Sequence, residues 1–237
     1  MKNLSLVSFV GVDEKTDFAE LERISNAYAG LGFVEWSVLF SDSKSVGNYA
    51  RYPSYKFCKE FLEKSAKTNY VHSSLHLCGS VIERYLEKEK NVMELCEHAQ
   101  RIQLNLNIKD YPDHLKLTER LWSVLKQYGH SIILQQNKTK AKFMEVFLKG
   151  NIFPISILHD GSGGFGREIT EVVAPDETHF TGYAGGIKPE NAVKIVGLIE
   201  SSNTNNKQYY IDMESGVRTD NVFSLEKCQQ VIDNLKR

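Results

Sequence analysis

The chain lacks the marks of several protein classes, and each absence narrows what it is. No apolar run approaches the roughly 18 residues that cross a bilayer, and the N-terminus has neither the basic start nor the apolar stretch of a secretory signal. The expectation is a soluble, cytoplasmic protein with no membrane partner. Cysteine is scarce: Cys58, Cys78, Cys96 and Cys228 are widely spaced, without a CxxC pair, which reads as free thiols rather than a disulfide framework. Proline is rarer than one residue in forty (5 of 237), and no Pro/Ser-rich linker or charge block interrupts the chain, so one domain is expected over residues 1–237. Neither sign of charge dominates, with 29 Lys and Arg against 30 Asp and Glu. That balance gives no long-range pull toward nucleic acid or anionic lipid. A monomer or homodimer without a nucleic-acid partner fits this composition.

What is present is alternation. Short β-rich runs recur along the chain: LSLVSFV (4–10), VEWSVLF (34–40), SSLHL (73–77), IQLNLN (102–107), SIILQ (131–135), PISIL (154–158), HFTGYA (179–184) and QYYIDM (208–213). Between them lie amphipathic helical segments with helix punctuation. TDFAELERISNAYAG starts at a Thr/Asp cap and ends on Gly30, DHLKLTERLWSVLKQYG ends on Gly129, KPENAVKIVGLIE carries Pro189 in its first turn, and SLEKCQQVIDNLKR closes the chain. Eight strand–helix units in this length predict parallel strands with right-handed crossovers, closed into a single (β/α)8 TIM barrel of class α/β.

A barrel assigns the two faces of every strand, one to the outer helices and one to the lumen. Leu75 and Leu77 belong outside, which turns His76 and Cys78 inward. The same rule turns Gln103, Asn105 and Asn107 inward on the fourth strand, Ser156 and Asp160 on the sixth, and Asp212 on the last. On the second strand Glu35 and Ser37 alternate against Trp36 and Val38. Such a lumen is polar where barrels usually hold branched aliphatics. Each buried polar group left unpaired would cost about 1–3 kcal/mol, so these residues must satisfy one another, water or a ligand.

The last three strands end in glycine-rich stretches: HDGSGGFGREI, YAGGIKPENA and DMESGVRTD. Glycines at strand-to-helix turns let backbone N–H groups approach an anion closely, and barrels commonly build a phosphate site after strands 7 and 8. Gly185, Gly186, Ser215 and Gly216 stand there. They either cradle a phosphate or simply make tight turns.

AGGIKPENA (184–192), IDMESGV (211–217) and the strand ending in Asp160 with GSGG behind it resemble the phosphoribosylanthranilate isomerase family. LHLCG (75–79) is similar to that family's Leu/Val-Gln-Leu-His-Gly segment, ARYPS (50–54) to its Arg-Tyr-Val-Ser, and VSFVGV (7–12) has the spacing of its opening strand. The resemblance implies a TIM barrel of the ribulose-phosphate-binding type, a phosphorylated small-molecule ligand and an Amadori-type isomerisation without cofactor. Residue by residue, it implies Asp160 as the general acid, Arg51 at the aromatic end of the substrate, Gly185, Gly186, Ser215 and Gly216 on the phosphate, and Asp212 at the end of strand 8. The family's base, a cysteine in Lys-Ile-Cys-Gly, is not matched, because Ser8, Phe9, Val10 and Gly11 occupy that stretch. Arg218 stands where the family tends to have an acid, and the loop 41–54 is longer than its counterpart.

Val10 cannot abstract a proton, so an acid–base isomerase needs an altered base. Cys78 beside His76 is a candidate, since an imidazolium would lower its pKa; a buried, inert thiol is the other reading. The expected function is therefore acid–base isomerisation of a phosphorylated sugar or phosphoribosyl-type substrate, with catalytic Asp160 and Cys78. Arg51, His76, Asp212, Glu35 and Asn105 are expected against the substrate. Two alternatives remain open: a metal-assisted epimerase or lyase using Glu35, His76 and Asp212, and a phosphate-ligand-binding homologue without turnover. KTKAK (138–142) reads as a solvated basic face on a helix.

Overall fold

The computed structural model describes residues 2–44, 51–150, 152–160, 169 and 171–236. The GSGG stretch at 161–164 and residues 45–50 of the long loop lie outside the described residues. Eight parallel strands close on themselves: β1 (Leu4–Val10), β2 (Phe33–Phe40), β3 (His72–Cys78), β4 (Arg101–Asn105), β5 (Ile132–Gln136), β6 (Ile155–Asp160), β7 (Phe180–Ala184) and β8 (Tyr209–Met213). Each pairs with the next, and β8 pairs back onto β1. The outer layer is α1 (Phe18–Tyr28), α2 (Tyr55–Ala66), α3 (Val81–Leu86), α4 (Lys90–Cys96), α5 (His114–Tyr128), α6 (Ala141–Leu148), α7 (Ala192–Ser202) and α8 (Leu225–Leu235).

The helices do not follow a strict one-per-strand rule. The β3-to-β4 crossover carries two short helices, while no helix lies between β6 and β7 among the described residues. Pro189 sits in a turn ahead of α7, which begins at Ala192, rather than in the first helical turn. A two-residue antiparallel hairpin, β9 (Arg218–Thr219) with β10 (Val222–Phe223), leads into α8.

Local chemistry explains the helix ends. The carboxylate of Asp17 accepts from the Ala19 amide at 3.0 Å, that of Asp113 from Lys116 at 3.0 Å, and the Ser224 hydroxyl from Lys227 at 3.3 Å, each satisfying a donor that the first turn leaves open. Gly129 ends α5 at φ +69°, the left-handed conformation that glycine adopts without a Cβ clash. Leu117, Leu121, Val124 and Leu125 put one face of α5 on the sheet.

Strand alternation builds the core between sheet and helices. Val7, Phe9, Trp36, Val38, Leu75, Leu77, Ile102 and Leu104 point outward and are buried, each contributing about 1.5–3 kcal/mol of apolar burial. The lumen face follows from register, because residues paired across parallel strands share a face. One continuous set runs Ser8–Glu35, Ser37–Ser74, His76–Gln103, Gln103–Ile133, Ile133–Ser156, Asp160–Ala184, Ala184–Asp212 and back to Ser8. The polar residues expected inside are there, with one exception. β4 stops at Asn105, so Asn107 leaves the sheet and is exposed.

Candidate functional site

The lower lumen is closed by an ion pair. Arg101 donates from Nε and Nη2 to the two carboxylate oxygens of Glu35, both at 2.7 Å, and from Nη1 to the Ser156 hydroxyl at 3.2 Å. Its guanidinium carbon lies 4.3 Å from the Tyr210 ring centroid and 5.6 Å from that of Phe180. Gly182 makes room for this arrangement, since a methyl group there would collide with the Tyr210 ring. Burial works to raise the Glu35 carboxyl, but the charge and hydrogen bonds of Arg101 outweigh it and hold the group below its usual range. Glu35 therefore does not take the substrate-binding or metal-ligand role expected of it. Both of its oxygens are committed to Arg101, and it is not part of the cavity wall. The strand begins at Arg101, one residue before the apolar run that marked it in the sequence, and this hid the partner.

Hydroxyls connect this floor to the residues above. Ser8 and Ser37 stand 3.4 Å apart, Ser37 and Ser74 2.5 Å, and the Ser74 hydroxyl lies 3.4 Å from His76 Nε2. His76 is buried, and its pKa is pushed down to about 4 by burial, against the pull of Glu35 and with the help of Arg101. The imidazole is neutral at physiological pH.

Above the floor opens a cavity of about 570 Å³ at the C-terminal ends of the strands. His76, Gln103, Asn105, Asp160 and Asp212 form its depth; Arg51, Tyr52, Gly185, Gly186, Glu214 and Ser215 form its mouth. Of the expected site residues, all but Cys78, Glu35 and Gly216 line it. Asp160 and Asp212 pair in register with the same residue, Ala184. With strands about 4.8 Å apart, the two carboxylates rise from backbones roughly 10 Å apart. Burial pushes the Asp212 carboxyl up to about 7; a Ser8 hydrogen bond opposes this, the Glu35 charge adds to it, Arg101 opposes and Asp160 adds.

Cys78 behaves differently from the expectation. Its sulfur accepts from Asn105 Nδ2 at 3.0 Å, and burial raises its pKa, with Asn105, Lys44, Tyr52 and Arg51 opposing. A neutral His76 supplies no imidazolium to activate it. The thiol stands beside Asn105, its register partner on β4, and is hydrogen-bonded to it.

The loops after β7 and β8 meet at the cavity mouth. Gly185 and Gly186 have φ of +124° and +60°, conformations that exclude most side chains. The Asn191 side chain fixes this turn, donating to the Gly186 carbonyl at 2.9 Å and accepting from the Lys188 amide at 2.8 Å. Gly216 does not line the cavity. It holds the two loops together, because a methyl group there would strike the Ile187 carbonyl oxygen. Arg51 is paired with Glu214 across the mouth.

The burial of three cationic side chains escaped the sequence. Besides Arg101, Lys140 is buried within the KTKAK segment instead of lying on a solvated face. Its Nζ donates to Gln135 Oε1 at 2.7 Å, and burial lowers its pKa to about 8 against the charge of Asp160. Arg218 is buried against Gly11, donates from Nη1 to the Asn221 carbonyl at 2.9 Å, and leaves Nε and Nη2 without a hydrogen-bond partner among the described residues. Burial and the nearby Arg51 lower its pKa to about 10, with Asp13 opposing. Neither the position of Lys140 one residue before α6 nor the Arg218 hairpin carries a periodicity that announces burial.

Glu35, His76 and Asp212 do not form a metal cluster; among the described residues no three His, Cys, Asp or Glu side chains do. No helix among the described residues is long and apolar enough to cross a membrane.

Solved structures share the architecture. An N-(5'-phosphoribosyl)anthranilate isomerase from Pyrococcus furiosus superposes with a TM-score of 0.60 at 15% identity, covering 98% of each chain. A tryptophan synthase subunit alpha from Legionella pneumophila gives 0.57 at 13%, over 98% of this chain and 93% of that one, and a triosephosphate isomerase from Bartonella henselae 0.53 at 9%, over all of both. The chain is a TIM barrel. No family model matches it, and no curated protein matches its sequence. At these identities the likeness concerns the fold alone, and the reaction must be argued from the site.

Proposed function

We propose that this barrel binds a phosphorylated sugar or phosphoribosyl-type ligand and isomerises it by acid–base chemistry, with Asp160 as the acid. One observation carries the reading: a single cavity is walled by buried Asp160 and Asp212 at its depth and by two interlocked glycine turns at its mouth. The turns supply close backbone approach for a phosphate, and the carboxylates stand where a sugar ring anchored by that phosphate would lie. The resemblance to phosphoribosylanthranilate isomerases in the AGGIKPEN and ESGV segments points the same way.

The same cavity supports a division of roles among its residues. His76, being neutral, together with Gln103 and Asn105 offers hydrogen bonds to sugar hydroxyls without adding charge. Arg51, held against the loop after β8 by Glu214, lies at the mouth of the cavity and suits the group carried on the sugar's anomeric carbon.

A phosphate-ligand-binding protein without turnover is the second reading, favoured by Val10. It pairs in register with Ser37 on the lumen face and is buried, so an apolar side chain fills the place of the family's base.

The experiment is thermal shift with ribose 5-phosphate and inorganic phosphate, with ribose as control. Saturation at a hundredfold excess over Kd stabilises by about 2.7 kcal/mol, a rise of roughly 5–10 °C for a chain of this size. If neither phosphate compound moves the melting temperature, the reading is wrong. If binding is found, Asp160→Asn separates the two functions: it abolishes turnover and spares affinity in the isomerase, and leaves a pure binding protein unchanged.

A further inference from the structure

The proposed isomerase has an acid but, with Val10 on β1 and an unactivated thiol at Cys78, no base on the strands where one was expected. We propose that Asp212, at the end of β8, is the general base. The inference rests on the functional reading above and names the residue that completes it.

Four observations carry it. Asp212 lines the same cavity as Asp160 while being buried, so it is reached from the ligand side. The two carboxylates flank Ala184, a residue with a small side chain, at one level of the barrel. Gly185 and Gly186 follow Ala184 directly in the chain, so a phosphate held there places the sugar in front of both groups. Finally, burial keeps Asp212 basic, and its neighbours divide, Ser8 and Arg101 working to lower its pKa and Glu35 and Asp160 to raise it. On β1 the neighbour is Ser8, whose hydrogen bond favours the carboxylate. On β2 the facing charge is Glu35, on β4 Arg101, whose guanidinium is already bound to Glu35, and on β6 Asp160. The result is a carboxyl that ionises at about 7, where a base works best at neutral pH.

The chemistry balances without an oxidant or metal. In an N-glycoside of ribose 5-phosphate, Asp160 gives its proton to the ring oxygen as the C1–O4 bond breaks, and the nitrogen lone pair forms a C1–N double bond. Asp212 then removes the proton from C2, and the C–H electrons form a C1–C2 double bond while the C–N pair returns to nitrogen. Ketonisation returns the Asp212 proton to C1 and the O2 proton to Asp160, which restores both residues and leaves a 1-amino-1-deoxy-2-ketose. Acid and base act on opposite ends of a short stretch of sugar, which is why they need to face each other across one small residue.

The test uses the full chain, with ribose 5-phosphate as the binding probe and the anthranilate N-glycoside of ribose 5-phosphate as the reacting probe in D2O. Asp212→Asn is expected to bind ribose 5-phosphate within about threefold of the wild type while losing at least about a hundredfold in turnover or in hydrogen exchange at C2, the lower end of what a general base supplies. Asp212→Glu should restore part of the rate, and the limb of the pH–rate profile near 7 should vanish in Asp212→Asn. A purely structural Asp212 would move binding and stability without touching that limb. Turnover in Asp212→Asn within threefold of the wild type overturns the assignment, as does binding of the glycoside by the wild type with neither turnover nor exchange. Absence of ribose 5-phosphate binding refutes the functional reading instead. Infrared titration then still decides Asp212: a carboxyl ionising between pH 6 and 8 that disappears in Asp212→Asn supports a poised base, and its absence in the wild type overturns it.

Discussion

Replacing Asp212 with Asn should stabilise this protein at high pH and not at low pH. The carboxyl is pushed from 3.8 to about 7 in the folded state. Well below pH 4 it is protonated whether folded or unfolded, and it contributes no pH-dependent term. Between pH 4 and 7 the folded state holds a proton that the unfolded state has released, so wild-type stability falls as pH rises, and above 7 the full cost remains. Three units at 1.36 kcal/mol each give a cost of about 4 kcal/mol. Asn keeps the shape and removes the charge, so the melting temperature of Asp212→Asn relative to the wild type should climb across this range by roughly 10 °C. Circular-dichroism melts at pH 4, 5, 6, 7 and 8 measure it. A difference that stays constant from pH 4 to 8 refutes the reasoning, because it would mean that the carboxyl titrates alike in both states.

Further outcomes follow from the same geometry. Arg101→Met strands the Glu35 carboxylate in the lumen and should cost about 3–5 kcal/mol, most of which the double variant Glu35→Gln with Arg101→Met recovers; additivity in a denaturant-unfolding double-mutant cycle would contradict the pairing. Gly216→Ala must push the two mouth loops apart at the Ile187 carbonyl, so ribose 5-phosphate affinity by calorimetry should drop about tenfold or more while stability falls by about 1–3 kcal/mol. Cys78→Ser should leave turnover within about threefold, and the native thiol should resist alkylation at pH 7, since burial favours its protonated form; rapid labelling of Cys78 in the folded protein would reverse that conclusion.

Much of the barrel was legible because its physics is periodic. Leu75 and Leu77 alternating with His76 and Cys78 is a local pattern that fixes which side chain enters the lumen, and eight such patterns fix the topology. Gly185, Gly186 and Gly216 were legible for a related reason, since only glycine tolerates the positive φ or the close approach at those turns. Asp160 and Asp212 could be placed inside by the same alternation.

What each inward residue does was decided by neighbours far away in sequence. Glu35 looks like a ligand-binding carboxylate until Arg101, 66 residues on, takes both its oxygens. Cys78 and His76 read as an activating pair until burial moves the thiol up and the imidazole down, away from the ion pair they would need. Lys140 stands in an apparently solvated basic run and is buried. The sequence alone determined the alternation, the turns and therefore the closed barrel, since those rest on interactions between residues close along the chain. Only the tertiary structure decided which of the lumen's charged groups are neutralised and which are left reactive, because protonation depends on desolvation and on charges that the closing of the barrel brings together.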